Sequence, residues 1–187
     1  MNVKDAIEKR RAYRSLEPVK ITKKLIYDLS KCAQITASCF NNQPWRYIFV
    51  YDPEMLKKMH EALSSGNSWA HKASMIIVVV GKKEDDCIIK DRVYYRFDIG
   101  MATEAMILRA TELGLIAHPI AGYSPKKTRE ILGIPEELDV ITLVIVGKHS
   151  DKIDSVLSEK QIKAEKERPE RIPIDDFVYI NRYIKKR

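Results

Sequence analysis

Three groups of residues in this sequence are of types that could bind a ligand or support a reaction. Arg10, Arg11 and Arg14 form a cationic cluster, and the guanidinium fork suits the oxygens of a phosphate group. Asn41–Gln43 contributes amides that donate and accept hydrogen bonds, as the edge of a planar heterocycle requires. Pro119–Gly122 carries small residues after an expected short strand, where backbone N–H groups can approach a flat ligand. Each group also fits a plain structural role, as a solvated helix end or a turn.

The familiar catalytic and phosphate-binding motifs are absent from the sequence. It has neither GxGxxG nor GxxxxGK[ST], and neither GxSxG nor HExxH. Ser38 and Cys39 have no histidine base nearby in the sequence, and the 4 histidines lack the spacing of zinc ligands. We therefore expect no hydrolase triad, no P-loop and no metal centre.

The composition is that of a globular domain with a basic surface. The chain has 187 residues, a hydrophobic share of 45% and a formal net charge of +7, which favours one domain and an anionic partner. Nucleic acid, an anionic lipid surface and a phosphorylated small molecule all fit that charge. The basic residues alternate with acidic ones, as in KKEDD and KAEKERPER, so most of them are expected to be solvated surface charges. We therefore expect a small-molecule partner and no nucleic acid.

The cysteines and the apolar segments bear on where the protein works. Cys32, Cys39 and Cys87 form no CxxC pair and are odd in number, so we expect no disulfide framework and a reducing compartment. The first residues lack the apolar core of a signal peptide. The longest apolar run, Met75–Val80, is too short to span a bilayer. These patterns predict a soluble cytoplasmic protein that is not bound to a membrane.

The first third of the chain alternates helices with one strand. Apolar spacing predicts a short amphipathic helix over Val3–Ala12 and a second helix that begins after the N-cap Thr22. A strand is expected over Arg46–Tyr51. Asp52 and the proline after it predict the start of a helix at Glu54–Leu63. The arginine cluster would then lie at the end of the first helix, and the amides just before the strand.

The middle of the chain supplies the expected core. Met75–Val80 and Ile141–Val146 are short, apolar and rich in β-branched residues, which is typical of central strands that are buried on both faces. Asp98–Gly114 is apolar on nearly every helical face, so this helix is expected to pack in the core and at a subunit interface. Ser124–Gly133 is expected to form another capped helix.

The composition changes after Gly147. Lys148–Arg171 is highly charged, and the following segment, Ile174–Ile184, is apolar again. A polar segment followed by an apolar one is more often docked than disordered, and a partner subunit is one place for it. We therefore assign residues 1–150 to one domain and residues 151–187 to an arm of the same domain.

The order of these segments resembles the FMN-dependent nitroreductase family. The resemblance runs from about Ile7 to Gly147 and resumes near Arg171, so it covers most of the chain. It rests on RRAYR at Arg10–Arg14, NNQPW at Asn41–Trp45, GN at Gly66–Asn67, DIGMATEAMILRATELGL at Asp98–Leu115, PIAG at Pro119–Gly122, LGIPEEL at Leu132–Leu138 and RIPIDDFV at Arg171–Val178.

The resemblance implies a fold and an assembly. The fold would be α+β, with a three-layer nitroreductase-like architecture in which helices flank a mixed, mainly antiparallel sheet. The assembly would be an intertwined homodimer with one FMN at each interface, and the charged arm and apolar tail would wrap the partner subunit.

The resemblance also implies which residues contact FMN. The phosphate and ribityl contacts would come from the arginine cluster and from Arg171, with Arg168 competing for the same role. Asn41 and Gln43 would face polar atoms of the isoalloxazine or ribityl group, and a backbone N–H of Ala121 or Gly122 would lie near flavin N5. The complete set of implied FMN-binding residues is Arg10, Arg11, Ala12, Arg14, Ala37, Ser38, Cys39, Asn41, Gln43, Asn67, Pro119, Ile120, Ala121, Gly122, Arg168 and Arg171.

Some of these positions depart from the family pattern. Ala12 stands where the family often has Ser, Ala37 where it often has Pro, and Ala121 where many members have Glu. Phe40 stands where a small residue is common, and this bulky ring could narrow the pocket or stack near the flavin. The departures leave FMN binding as the expectation and put the substrate in question.

The activity implied by the resemblance is that of an FMN-dependent NAD(P)H oxidoreductase. NADH or NADPH would deliver hydride to flavin N5, and a nitroaromatic, a quinone or a similar small oxidant would then be reduced in a ping-pong cycle. No side chain need act as a nucleophile, because the cofactor carries the chemistry. The alternatives are a flavin-binding sensor or storage protein, and an enzyme of this fold with a specialised substrate, such as one for dehalogenation or flavin destruction.

Overall fold

The structure is a computed structural model that describes residues 1–184, so the last three residues of the expected arm lie outside it. Its helices are α1 Val3–Lys9, α2 Lys23–Gln34, α3 Pro53–Met59, α4 Tyr95–Glu112, α5 Pro125–Leu132, α6 Glu159–Lys166 and α7 Ile174–Phe177. Its strands are β1 Leu16–Glu17, β2 Arg46–Val50, β3 Met75–Gly81, β4 Ile88–Ile89, β5 Arg92–Val93, β6 Leu115–Ile120 and β7 Asp139–His149. Short 3₁₀ turns cover Cys39–Asn41, His60–Ala62, Ser65–Lys72 and Lys83–Asp85.

One antiparallel sheet organises the chain. The long strand β7 pairs with β3, β6 and β1, and β3 pairs in turn with β2. The strands β4 and β5 form a separate small hairpin. Every pair of named strands within residues 1–184 is antiparallel, so the parallel component of the expected mixed sheet is not present there.

The sheet is covered on both faces, as the apolar run at β3 predicts. All residues of β3 are buried, and their side chains alternate between two cores because successive residues of a strand point to opposite faces. Ile76, Val78 and Val80 pack with residues of α3 and α5 on one face. Met75, Ile77 and Val79 pack with α2 and α4 on the other. The α+β fold of three layers is therefore confirmed.

The helix α4 lies in the core but is not covered all round. It begins one turn earlier than expected, at Tyr95, and Gly114 just beyond its end has a φ of +75°, a conformation that glycine adopts without strain. Ile99, Met106 and other residues are buried, whereas Phe97 is 64% exposed. The interface expected on this helix stays a prediction.

The helix α1 is shorter than expected. Asn2 caps it with a capping box, and at Arg10 the backbone leaves the helix with φ −57° and ψ 122°. The predicted end at Ala12 is therefore wrong, and the arginine cluster lies on an extended segment after the helix. The backbone N–H groups of an extended segment are free to bond other parts of the chain. Those of Arg14 and Ser15 donate to Glu165.

The first part of the C-terminal arm packs against its own chain. Ser158 caps α6 with a capping box, and Glu165 on this helix accepts hydrogen bonds from the backbone N–H groups of Arg14 and Ser15. The apolar residues that follow are exposed, namely Ile172, Ile174, Phe177, Val178, Ile180, Tyr183 and Ile184. The helix α6 thus packs against its own N-terminal segment, and the wrapping of a partner by the tail stays a prediction.

A disulfide joins Cys39 to Cys87, at a sequence separation of 48. The odd cysteine count led us to expect none, and that expectation is wrong for this pair. The tertiary fold brings the two cysteines together. Cys87 lies in the segment just before β4, which returns to the start of α4, and Cys39 also contacts this helix through Asp98. Cys32 is the free thiol. No helix within residues 1–184 is long and apolar enough to cross a membrane.

Candidate functional site

A cleft with a volume of about 100 Å³ brings together arginines from both ends of the chain. Its lining residues are Arg10, Arg11, Ala12, Arg14, Ala164, Arg168, Pro169 and Arg171. All five arginines predicted as phosphate contacts are among them, so the two rival positions at the C-terminal end belong to the same cleft. The chemistry of these side chains suits a compact, multiply charged oxyanion.

The five arginines do not all have the same freedom to bind a ligand. The Arg11 guanidinium donates to the carbonyl of Ala164 at 2.7 Å, and that of Arg168 donates to the carbonyls of Glu8 and Arg10. These two side chains hold the arm against the N-terminal segment. Arg171 bonds the nearby carbonyl of Pro169 at 2.7 Å.

Arg10 and Arg14 are the arginines with unused hydrogen-bond donors. Within residues 1–184 the Arg10 guanidinium has no hydrogen bond or ion pair, and Arg14 makes one long side-chain bond of 3.4 Å to the carbonyl of Ala12. Burial lowers the pKa of Arg14, while the charge of Glu165 opposes that change. A half-buried guanidinium remains charged and has most of its donors unused, so an anion in the cleft would supply what it lacks.

Glu165 fixes the backbone at the base of the cleft. Its residue is 7% exposed, and its two carboxylate oxygens accept the N–H groups of Arg14 at 2.6 Å and Ser15 at 3.2 Å. His149 Nε2 lies 3.8 Å from the same carboxylate. A buried carboxylate normally requires this kind of compensation, so α6 is held in place by bonds that also orient Arg14.

A chain of contacts connects the cleft to two other predicted residues. The Arg14 guanidinium lies 5.9 Å from the centre of the Trp69 ring, and Trp69, which is 1% exposed, donates from Nε1 to Asn67 Oδ1 at 3.1 Å. Asn67 Nδ2 then donates to the carbonyl of Gly122 at 2.9 Å. Asn67 and Gly122 are therefore connected to the arginine cleft through Trp69.

The close approach at Gly122 depends on its lack of a side chain. A Cβ there would lie 2.5 Å from both Asn67 Nδ2 and Ser64 Oγ, which is closer than real contacts allow. Ile120 is buried in the core, while Pro119 and Ala121 are exposed. The segment Pro119–Gly122 thus presents backbone and small side chains beside Asn67, as its composition predicts.

His118 is an uncharged histidine behind the site. Its ring stacks on Trp69 with centroids 4.9 Å apart, and its Nδ1 lies 3.1 Å from the carbonyl oxygen of Tyr13, so that nitrogen must carry the proton. Burial lowers the pKa of His118 to about 4, and the charges of Arg14 and Arg10 act in the same direction. The neutral ring adds no further positive charge to the cleft.

We expect His118 to make the protein less stable in acid. The unfolded chain binds this proton with a pKa near 6.5 and the folded chain only near 4. The unfolded state therefore holds more protons between those values, and the free energy of unfolding falls by about 2 to 3 kcal/mol as the pH drops through that window. Urea unfolding at pH 7 and pH 4.5 measures the loss. His118→Phe, which keeps a ring against Trp69, should lose less, and equal losses in the two proteins would contradict the assignment.

The predicted segment Ala37–Gln43 lies apart from the cleft within one chain. Phe40, Asn41 and Gln43 have φ values of 47°, 60° and 51°, a left-handed conformation that is costly for residues other than glycine. The backbone N–H of Gln43 donates to Ser38 Oγ at 3.0 Å, and that of Cys39 donates to Asp98 at 2.6 Å. Within residues 1–184 no hydrogen bond joins this segment to the arginine cleft.

Phe40 does not narrow the site of its own chain. Its residue is 87% exposed, and Ala37 and Asn41 beside it are exposed as well. The stacking of Phe40 near a bound ring therefore stays a prediction that needs a second subunit.

The sequence did not point to Trp69, His118 or Glu165 as parts of the site. Trp69 follows the Gly66–Asn67 pair by two residues, which was an available signal because a tryptophan beside polar residues often has a hydrogen-bonding role. Glu165 stands in a charged run where nothing distinguishes it from its solvated neighbours. Its burial follows only from the docking of α6 onto residues that are about 150 positions away.

Comparisons with known proteins identify the family of this chain. The model of the Nitroreductase family matches residues 7–148. A protein of Archaeoglobus fulgidus, named as a candidate NADH dehydrogenase/NAD(P)H nitroreductase, is 32% identical over 154 residues, which cover 78% of this chain and 84% of the relative. An NADH dehydrogenase of Thermus thermophilus is 25% identical over 178 residues, and the match covers 86% of that relative.

Solved structures show the same fold. An oxidoreductase containing FMN superposes with a TM-score of 0.85 at 26% identity, over 100% of this chain and 95% of the other. A nitroreductase family protein from Clostridium difficile 630 superposes with a TM-score of 0.79 at 25% identity, over 98% and 100% of the two chains. With the family model matching most of its length, the chain belongs to the nitroreductase family.

Proposed function

We propose that this chain is an FMN-dependent NAD(P)H oxidoreductase that reduces a nitroaromatic, a quinone or a similar small oxidant. Its family and the names of its relatives support an oxidoreductase, and a similar structure contains FMN. The observation that carries the proposal is the cleft of five arginines, in which Arg10 and Arg14 have unused donors. A terminal phosphate on a flat heterocycle matches that cleft and the small residues beside it.

The residues of the chain fit FMN in two places. The phosphate would be held by Arg10 and Arg14, with Arg171 at the rim and with Arg11 and Arg168 keeping the cleft closed. The flat ring would lie along Pro119–Gly122, whose backbone is fixed by the bond from Asn67 to the carbonyl of Gly122. Trp69 and His118 form an apolar, uncharged floor between the two places.

FMN held by these residues would supply the redox chemistry, in which electrons pass from NADH or NADPH to the oxidant in a ping-pong cycle. The chain itself binds and orients. Backbone N–H groups of Ala121 and Gly122 offer donors to the edge of the ring, and positive charge from Arg10 and Arg14 favours an anionic ligand. No histidine or cysteine nucleophile is required at the site.

The proposal includes a homodimer. The amides of Asn41 and Gln43 do not reach the arginine cleft of their own chain, so a second copy is the source of this part of the site. The exposed Phe97 on α4 and the exposed apolar residues after Ile172 give the surface that a partner would cover. The dimer would thereby complete each site with residues from both subunits.

The test begins with the visible spectrum of the purified protein. Any chromophore is then released by heat and identified. We expect one FMN per chain and oxidation of NADH or NADPH that depends on an added quinone or nitroaromatic. Initial rates at several concentrations of both substrates should give parallel double-reciprocal lines. A protein that binds FMN with almost no turnover would be a sensor or storage protein, and one that takes up no FMN would contradict the proposal altogether.

A further inference from the structure

The disulfide Cys39–Cys87 lies beside two buried carboxyl groups that no step of the proposed reaction uses. Cys87 and Asp86 are buried, and Cys39 is half-buried. Both sulfurs and a carboxylate oxygen of Asp86 lie within 4.8 Å of one another. Asp98, at 2% exposed, contacts both parts of this cluster through the N–H of Cys39 and the carboxyl group of Asp86.

The carboxyl groups of Asp98 and Asp86 are both buried and adjacent to each other. Burial raises the pKa of Asp98, and the adjacent charge and hydrogen bond of Asp86 raise it further. Within residues 1–184 no N–H or O–H of another residue donates to Asp86 Oδ2, which is buried. A buried carboxyl group beside a second one ionises less readily, so Asp98 is the carboxyl group of this cluster that holds a proton more readily than usual.

We propose that Cys39 and Cys87 are a reversible dithiol–disulfide couple, a second redox site that a small dithiol opens in the folded protein. Three observations converge on it, namely the bonded sulfurs, the buried carboxyl groups of Asp86 and Asp98 beside them, and the amide of Asn42. Asn42 Nδ2 lies 3.5 Å from Cys87 Sγ and 3.3 Å from Asp86 Oδ1. A disulfide that only braced the fold would have no need of a proton donor beside it.

The reaction balances with a dithiol as the reductant. One of its thiolates attacks Cys39 Sγ, which belongs to the less buried residue, and the disulfide electron pair leaves on Cys87 Sγ. Asn42 stabilises the departing sulfur, and the carboxyl group of Asp98 supplies its proton and is then reprotonated from solvent. The second thiolate of the reductant then attacks the mixed disulfide and releases Cys39, which takes a proton from solvent. The net change is a cyclic disulfide of the reductant and two protein thiols, with two electrons and two protons transferred.

Reduction should change the segment that follows Cys39. Phe40, Asn41 and Gln43 are held in the left-handed region, and the disulfide is the covalent restraint on that turn. Opening it leaves the bonds from Cys39 to Asp98 and from Gln43 to Ser38. This consequence rests on the proposed function, in which Asn41 and Gln43 face the cofactor, and it predicts weaker FMN binding by the reduced protein.

Thiol counting tests the couple without reference to flavin. After acid quenching, the oxidised protein should react with maleimide at Cys32 alone. Protein incubated with dithiothreitol under native conditions should react at all three cysteines. Circular dichroism should show the fold retained, and oxidised dithiothreitol should restore the disulfide. Three thiols in air-oxidised protein, or opening only in denaturant, would overturn the proposal. So would stoichiometric zinc held by the reduced protein and lost in Cys87→Ser, because the thiolates would then be metal ligands.

A matched pair of variants tests the role of the carboxyl pair. Asp98→Asn removes the carboxyl proton, while its amide oxygen can still accept the N–H of Cys39, so native reduction at pH 7 should slow by roughly tenfold or more. Asp91→Asn, at the exposed turn between β4 and β5, should react like the original protein. Equal rates for the two variants would remove the proton donor from the proposal.

The coupling to the cofactor is tested separately. Equal FMN affinity of oxidised and reduced protein would overturn that coupling, while failure of FMN to bind at all would leave the thiol counts decisive.

Discussion

Replacing Arg10 and Arg14 together by alanine should weaken FMN binding by about 100-fold or more. Each guanidinium would lose charge-assisted hydrogen bonds to the phosphate, and such bonds contribute roughly 1.5 to 3 kcal/mol each. Both residues line the cleft, and Arg10 has no competing side-chain partner within residues 1–184. Titration of the apoprotein with FMN, followed by quenching of flavin fluorescence, measures the change.

The control must remove the same charge from a different surface. Lys23→Ala with Lys24→Ala does so at the exposed start of α2, and FMN affinity should stay within about twofold. Arg11 and Arg168 are unsuitable for this experiment because they tie the arm to the N-terminal segment. If the Arg10/Arg14 variant is folded and binds FMN as tightly as the original protein, the phosphate does not lie in this cleft.

Glu165→Ala should destabilise the fold by about 2 to 4 kcal/mol. The substitution leaves the buried N–H groups of Arg14 and Ser15 without their acceptor, and an unpaired buried donor costs roughly 1 to 3 kcal/mol. The variant should also lose affinity for FMN, because α6 supplies one wall of the cleft. Equilibrium unfolding in guanidinium chloride at pH 7 measures the first effect, and the flavin titration measures the second.

The neighbouring Glu167→Ala is the matched comparison for Glu165→Ala. Glu167 ends the same helix and is exposed, so its loss should change the free energy of unfolding by less than about 0.5 kcal/mol. Similar unfolding midpoints for the two variants would mean that the arm is not fastened by the buried carboxylate. A selective loss in Glu165→Ala would show that the two ends of the chain stabilise each other.

Much of the core could be predicted because it depends on local patterns. The apolar run at β3 implies burial on both faces, and the structure confirms it. Asp52, Ser124 and Thr22 each cap the helix that follows them, as their side chains lead one to expect. The arginines were predicted as phosphate contacts by resemblance; the structure places them in one cleft with Arg168 and Arg171, and their contact with a phosphate stays a prediction.

The remaining features depend on contacts between distant residues. No glycine or proline in the sequence marks the early end of α1, and the segment beyond it bonds to the distant arm, as Glu165 does with the N–H groups of Arg14 and Ser15. The disulfide was missed because an odd number of cysteines is only a statistical argument against pairing, whereas Cys39 and Cys87 are brought together by the fold. The buried Asp98 looked like an ordinary helix carboxylate, since its partner Asp86 lies in a separate segment.

The joining of the two chain ends has a consequence for biosynthesis. The cleft takes one wall from Arg10–Arg14 and the other from Ala164–Arg171, and the bond from Arg14 to Glu165 spans 151 positions. During translation the N-terminal half of the chain can collapse around β3, but the anion cleft cannot exist until the last segment has left the ribosome. If the proposed phosphate contacts are right, the cofactor would be bound only after synthesis ends, and a chain that terminates before Ser158 would keep its sheet but only half of its cleft.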